Sequence, residues 1–310
     1  MMATIHSRVP AAAAGQRLAA WLAAQFAYLD EAGWRAAIAA GAVQRNGAPT
    51  TAATLLAAGD VVAYMPPTSA DAEPEVPVLH ADDDVVVIDK PAGLVVQHAS
   101  SWPGRTFLRR LAQRHPPAAG ALLEPIHRLD RSTSGVLLVA RRPAAAARWM
   151  AAFAAGAVTK TYLALVQGVP AAAAWTIDAP IGPATESAVR ARQAVWPAGA
   201  PGARPAVTAV EVIASFAHHA LVRLRPRTGR THQLRVHLAH AGHPLVGDPL
   251  YGRSDADFLA WVARRRDGTA APADGPRTLL HAADLTGLGA CWSAPLPGDF
   301  VAALDALRPA

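Results

Sequence analysis

Cysteine is nearly absent: Cys291 is the single thiol in 310 residues. An intrachain disulfide is therefore excluded, and no CxxC or Cys/His spacing offers a zinc ribbon or a dithiol redox motif. So few thiols place the chain in a reducing, intracellular compartment. Lysine is almost as scarce, with only Lys90 and Lys160 among 29 basic residues. No uninterrupted apolar stretch reaches the roughly 18 residues that a membrane-spanning helix requires. GxGxxG, P-loop and HExxH signatures are missing, which removes the usual sequence basis for dinucleotide, P-loop and zincin chemistry. Acids are missing from residues 1–29, as in organellar transit peptides. However, Arg17 sits inside a helix-like pattern rather than ahead of a cleavable apolar core, so the expected compartment is the cytoplasm.

What is present is a hydrophobic fraction of 52% and a mean hydropathy of +0.17, enough to bury a sizeable core in one large or two ordinary domains. The formal charge is +6 and the sequence pI is near 10.2, a balance that suits a polyanionic partner. Coding bias accounts for arginine in place of lysine, but not for where the charge lies. Residues 216–266 hold nine Arg and three Asp, while the other 259 residues balance at 20 basic and 20 acidic. The polyanion is expected along this segment, with Arg264, Arg265 and Arg266 among its contacts and binding weakened by salt.

Leu18, Trp21, Leu22, Gln25, Phe26 and Leu29 follow helical spacing. A second short helix runs from Trp34 to Ala40 and ends at Gly41, and Asn46-Gly47 is a two-residue hairpin signal. With a strand at Val61–Met65, these form a small α+β unit over residues 1–66. Residues 67–80, rich in proline and in the acids Asp71, Glu73 and Glu75, read as a linker. Residues 81–310 then form a larger α+β domain. Its expected strands are Val85–Ile88, Val136–Val139, Thr161–Val166, Val207–Ile213 and Ala220–Arg225, and its expected helices Thr106–Arg114, Ala144–Ala155 and Thr231–Ala241. Strands and helices alternate without a regular βαβ rhythm, so a mixed, mainly antiparallel sheet is expected rather than a doubly wound one.

Two polar constellations could carry chemistry. In the first, Asp130 lies in a loop before an apolar strand, flanked by Arg128 and Arg131. Neighbouring cations favour the ionised carboxylate, which suits a nucleophile or base; a turn Asp capping backbone amides is the plainer alternative. The second runs from Arg227 to His237 and on through His243 to Asp248, dense in cations and hydrogen-bond donors. Its plainer alternative is a solvated basic helix face. The spacing of His232, His237, His240 and His243 matches no familiar metal triad, and no metal is expected. Lys160-Thr161-Tyr162 opens a strand with Lys160 and Tyr162 on one face. Tyr162 there is either a half-buried strand aromatic or a ring that stacks on an extruded base.

Taken in order and spacing, these segments resemble the RluA-type pseudouridine synthase family. The match extends from Asp84 to Asp284: KPAGLVV from Lys90, HRLDRSTSG from His127, KTYLALVQG from Lys160, RPRTGRTHQLRVHLAHAGHPLVGDPLYG from Arg225 and LLHAADL from Leu279. The resemblance implies an isomerase that converts uridine to pseudouridine in RNA without metal or cofactor, after flipping the target base out of its stack. It also implies Asp130 as the catalytic nucleophile, attacking the anomeric carbon or the uracil ring, or as base in a glycal route. Tyr162 would pack against the uracil and is a candidate to assist proton removal at ring carbon 5. Arg230 would pair with the catalytic carboxylate, Leu234 would line the pocket, and Arg128 would fill the vacated stack or grip phosphate. Lys160, Arg131, Arg227, His232, Gln233 and Arg235 are expected to contact RNA, whereas Ser132 occupies a position the family often fills with an acid.

Residues 1–66 are similar to the small S-four-like RNA-binding module that often accompanies these enzymes, although four Arg against three acids in residues 1–70 make a weak basic face. Large-subunit rRNA is the favoured substrate. A tRNA-directed synthase and a non-catalytic RNA-binding or ribosome-assembly protein are the alternatives. A monomer is expected, with no membrane association and no obligate protein partner.

Overall fold

The structure is a computed structural model that describes residues 5–26, 29, 31–65, 76–96, 107–266 and 277–308. The chain divides into two compact units, residues 1–74 with 97–114, and residues 75–96 with 115–310. Among the described residues no helix is long and apolar enough to cross a membrane.

The first unit contains β1 (Ile5–Arg8), α1 (Leu18–Gln25), α2 (Glu31–Ala39), β2 (Val43–Arg45), β3 (Ala48–Pro49), β4 (Val61–Tyr64) and α3 (Phe107–Arg114). Its antiparallel sheet has the order β1-β4-β2-β3. The hairpin forms where Asn46-Gly47 predicts it, with both residues at positive φ (51° and 79°) as a primed turn requires. Leu18, Leu22, Trp34, Ile38 and Val62 form the core. Asp60 accepts hydrogen bonds from Arg45 Nε, the Ala57 amide and Asn46 Nδ2, and these hold its carboxyl down to about 2. Arg45 is thus committed to Asp60 and Arg35 to Glu31. Arg8 and Arg17 remain exposed.

The second unit is built on a ten-stranded sheet in which β10 (Ala174–Asp178), β13 (Val207–Ser215), β14 (His219–Pro226), β9 (Thr159–Gln167), β15 (Leu280–Gly287), β8 (Ser134–Ala140), β6 (Val85–Lys90) and β5 (Val78–Ala81) lie side by side in that order. β7 (Glu124–Pro125) pairs with β8, and β16 (Ala290–Ser293) with β15. β11 (Ile181–Pro183) and β12 (Gln193–Val195) form a separate ribbon. Every neighbouring pair is antiparallel except β8 and β15, which confirms the mixed, mainly antiparallel α+β class. The helices are α4 (Pro143–Ala154), α5 (Gln233–His240), α6 (Asp255–Arg266) and α7 (Gly298–Asp305). Trp149 and the alanines of α4 pack on Val85, Val87, Val136 and Leu138, while Phe300 of α7 packs against Leu165 and Leu279.

Val78–His80, the end of the expected linker, is strand because β5 pairs with β6; residues 67–75 of that linker lie outside the described residues. The helix expected from Thr231 starts at Gln233, since His232 takes a left-handed conformation (φ 56°) that ends the preceding loop.

The parallel pair at the centre depends on Gly135, which sits at φ 112° with the backbone of β15 directly against it. A methyl group there would run into the Ala282 carbonyl. Gly135→Ala is therefore expected to lower stability by about 3 kcal/mol or more, from backbone strain and overpacking together. Thermal unfolding measures this, and an unchanged melting temperature would contradict the close approach.

Candidate active site

A cavity of about 280 Å³ opens beside β9 in the second unit. The loop between β7 and β8 contributes His127, Arg128 and Asp130, and β9 contributes Lys160 and Tyr162. Residues 228–235 and Leu280 of β15 complete most of the wall. Segments more than a hundred residues apart in sequence meet here because β15 lies between β8 and β9 in the sheet.

The Asp130 loop is clamped from behind by two cations. Lys90 is fully buried at the end of β6, and its ammonium donates to the carbonyls of Pro91, Leu94 and Arg131. Burial, reinforced by the nearby Arg277 guanidinium, pushes Lys90 down to about 7. Arg277 donates to the Ser132 carbonyl and Ser134 Oγ while forking onto Asp299. Lys90, which the sequence marks only as one of two lysines and the start of a motif, thus fixes the residue next to Asp130.

Asp130 is half-buried, and Arg235 Nη1 stands 3.3 Å from its Oδ2. The rest of the Arg235 fork goes to the fully buried Asp248, Nε to Oδ2 at 2.6 Å and Nη2 to Oδ1 at 2.8 Å. Arg235 also lies over the Tyr251 ring, 4.9 Å from its centroid. Burial works against the guanidinium charge, but the Asp248 carboxylate outweighs it and holds Arg235 above the ordinary arginine range. Asp248 accepts the Leu250 and Tyr251 amides as well, so its position is fixed by backbone.

The expected Arg230–Asp130 pair is not what the structure contains. Arg230 lines the cavity, but its Nε donates to the Pro205 carbonyl, and Arg235 takes the carboxylate. The helical phase explains the exchange: Arg230 precedes α5, whereas Arg235 is on its first turn beside Leu234, which lines the cavity as expected. The flanking arginines are not ion-paired with Asp130 either: Arg131 Nε donates to Gly93, and Arg128 is exposed at the cavity.

Gln233, expected to contact RNA, has no capacity left. Its Oε1 accepts from Thr228 Oγ1 and the Arg230 amide, and its Nε2 donates to the Val207 carbonyl and Thr208 Oγ1. His232 lines the cavity and shares a hydrogen bond with the Tyr251 hydroxyl; burial, followed by Arg235, pushes its imidazole down. Arg227 is exposed outside the cavity lining. The basic segment is partly neutralised from beyond its ends, since Glu211 binds both Arg223 and Arg225, and Asp130 binds Arg235. The side chains of Arg265 and Arg266 lie outside the described residues.

Tyr162 is buried on the cavity wall, and burial together with the Asp130 charge drives its phenol well above the ordinary range. It stays protonated at neutral pH, which suits a packing surface and not the base that could take a proton from carbon 5. His127, stacked on Phe153, is pushed down to about 3 by burial and by Lys160. Asp130 is the one acid on the described lining. The arrangement therefore offers a single carboxylate, locked by a guanidinium, next to a protonated aromatic ring. A hydrolytic glycosidase would instead need a second carboxylate across the cavity.

The family model for RNA pseudouridylate synthase matches residues 84–240. The chain belongs to that family. It is 38% identical over 245 residues to ribosomal large subunit pseudouridine synthase D of Pseudomonas aeruginosa, covering 76% of this chain and 72% of the relative. Against the Escherichia coli protein of that name it is 36% identical over 238 residues, covering 74% and 70%. The solved structure of human RNA pseudouridylate synthase domain containing 4 aligns with TM-score 0.59 and 28% identity, covering 75% of this synthase and 93% of the human chain. Asp130, Tyr162 and Arg235 all lie within the matched span.

Proposed function

We propose that this synthase isomerises one or more uridines of large-subunit rRNA, as a single chain in the cytoplasm. The observation that carries the reading is the convergence of Asp130, Tyr162 and Arg235 on one cavity in the second unit. The target uridine leaves its stack, at a cost of about a few kcal/mol, and Arg128 takes the vacated space. Asp130 drives cleavage of the bond between uracil N1 and ribose C1′. The uracil, held against Tyr162, turns to present carbon 5, which bonds to C1′. The proton on carbon 5 passes to the freed Asp130 carboxylate, and N1 gains one, so the overall reaction is balanced without a cofactor. Arg235 holds the carboxylate in place throughout.

Arg128, Arg131, Arg227 and Arg230 are half-buried or exposed, and none has a carboxylate partner among the described residues. They suit the phosphates flanking the target. The rRNA assignment rests on the names of the relatives above and on this basic rim. Residues 1–70, with two of their four arginines committed internally, contribute orientation more than affinity. Pseudouridine mapping of total RNA from a deletion strain against wild type tests the reading. A site lost from large-subunit rRNA is expected. A site lost only from tRNA would redirect the assignment, and an unchanged map would refute it.

A further inference from the structure

Lys160 stands out by what it lacks. It lies on the same face of β9 as Tyr162, two residues away, which sets the side chains about 7 Å apart along the cavity wall. Its ammonium is largely buried, yet the bond it makes is a long one, 3.4 Å to the Thr228 carbonyl, and no carboxylate pairs with it among the described residues. Burial pushes its pKa down with no acid to offset the effect. The cavity cations differ sharply in this respect: Arg235 has two carboxylates, and Arg128 has solvent. His127, the titratable neighbour on this wall, is held neutral. Gly229 presents no side chain to the ammonium, a β carbon there would stand 3.8 Å from Nζ, and the neutral Phe153 ring lies 5.9 Å from Nζ to its centroid without supplying a counter-charge.

A buried cation without a counter-ion is costly unless an anion arrives to share the site. With uracil against Tyr162 and ribose at Asp130, the nucleotide has one charged group left. We propose that Lys160 is the anchor for a phosphate of the flipped nucleotide, an anion subsite inside the cavity and separate from the arginines of the rim. The charge complement favours phosphate over a uracil carbonyl, which would leave the lysine uncompensated. The inference rests on the reading that the cavity receives a flipped uridine.

The test measures equilibrium binding of a large-subunit rRNA transcript in an Asp130→Asn background, so that turnover plays no part. Adding Lys160→Met is expected to weaken binding about tenfold or more, the range of a charge-assisted hydrogen bond, and to lower the log–log salt slope by about one. Lys160→Arg is expected to restore both to within about threefold, which a merely structural role for the lysine stem would not do. Unchanged affinity in Lys160→Met overturns the proposal. Weakened binding with an unchanged slope overturns it too, by assigning Lys160 to a neutral group. If the Asp130→Asn protein fails to bind the transcript at all, the rRNA reading fails first.

Discussion

Asp130→Asn is expected to abolish pseudouridine formation, with tritium release from 5-labelled uridine in rRNA falling by about three orders of magnitude or more, as for loss of a nucleophile. The substitution preserves shape and removes only the charge. The fold should survive it, because Arg235 keeps its fork to the buried Asp248 and is not left as an unpaired buried cation. The pair lost with Asp130 is a single 3.3 Å contact, a minor part of the Arg235 pairing beside its two shorter bonds to Asp248. Activity and stability thus separate in this variant. Full release of tritium by a protein lacking the Asp130 charge would make the cavity a binding site only, and the non-catalytic alternative would stand.

The second large effect distinguishes Arg235 from Arg230, the arginine that the family resemblance puts on the carboxylate. Arg235→Lys keeps the charge but cannot fork onto Asp248 while still reaching Asp130. We expect kcat to fall about a hundredfold with a smaller change in KM, since the contact to the reacting carboxylate is what is lost. Arg235→Met should cost about 3–5 kcal/mol of stability as well, because Asp248 would be stranded, fully buried and charged. Arg230→Met is expected to leave kcat near wild type and to weaken RNA binding severalfold, with a shallower salt dependence. Steady-state kinetics on the three variants decide the matter. A collapse of kcat in Arg230→Met alongside an active Arg235→Lys would restore Arg230 as the partner of Asp130.

Much of this was legible in the sequence. The β-branched runs gave β6, β8, β13 and β14, and Asn46-Gly47 gave the first hairpin, because in each the local preference agrees with the final fold. β15 was not foreseen as a strand: HAADLTG has weak intrinsic preference, and its conformation comes from pairing with β9 and β8. α6 was missed because its apolar residues sit beside charged ones without a clean helical face. At the site, Asp130, Tyr162 and Leu234 could be picked out by motif, but the partner of the carboxylate could not. Arg230 and Arg235 differ by little more than one helical turn, and which one reaches Asp130 depends on where α5 begins. That start is set by the left-handed His232, which no spacing rule reveals. Asp248 gave a faint signal as an acid inside a basic segment. Lys90 gave another, as one of two lysines in an arginine-rich chain.

The position of β15 also constrains when the enzyme becomes competent. This strand separates β8, which follows Asp130, from β9, which carries Tyr162, yet residues 280–287 come after every other cavity-lining element in the sequence. During synthesis the two halves of the sheet can form hairpins of their own, but they cannot close on each other until the last strand is inserted between them. The reactive carboxylate and its aromatic partner therefore stay apart while the chain is being made. Catalytic competence should switch on in one late, non-local folding step.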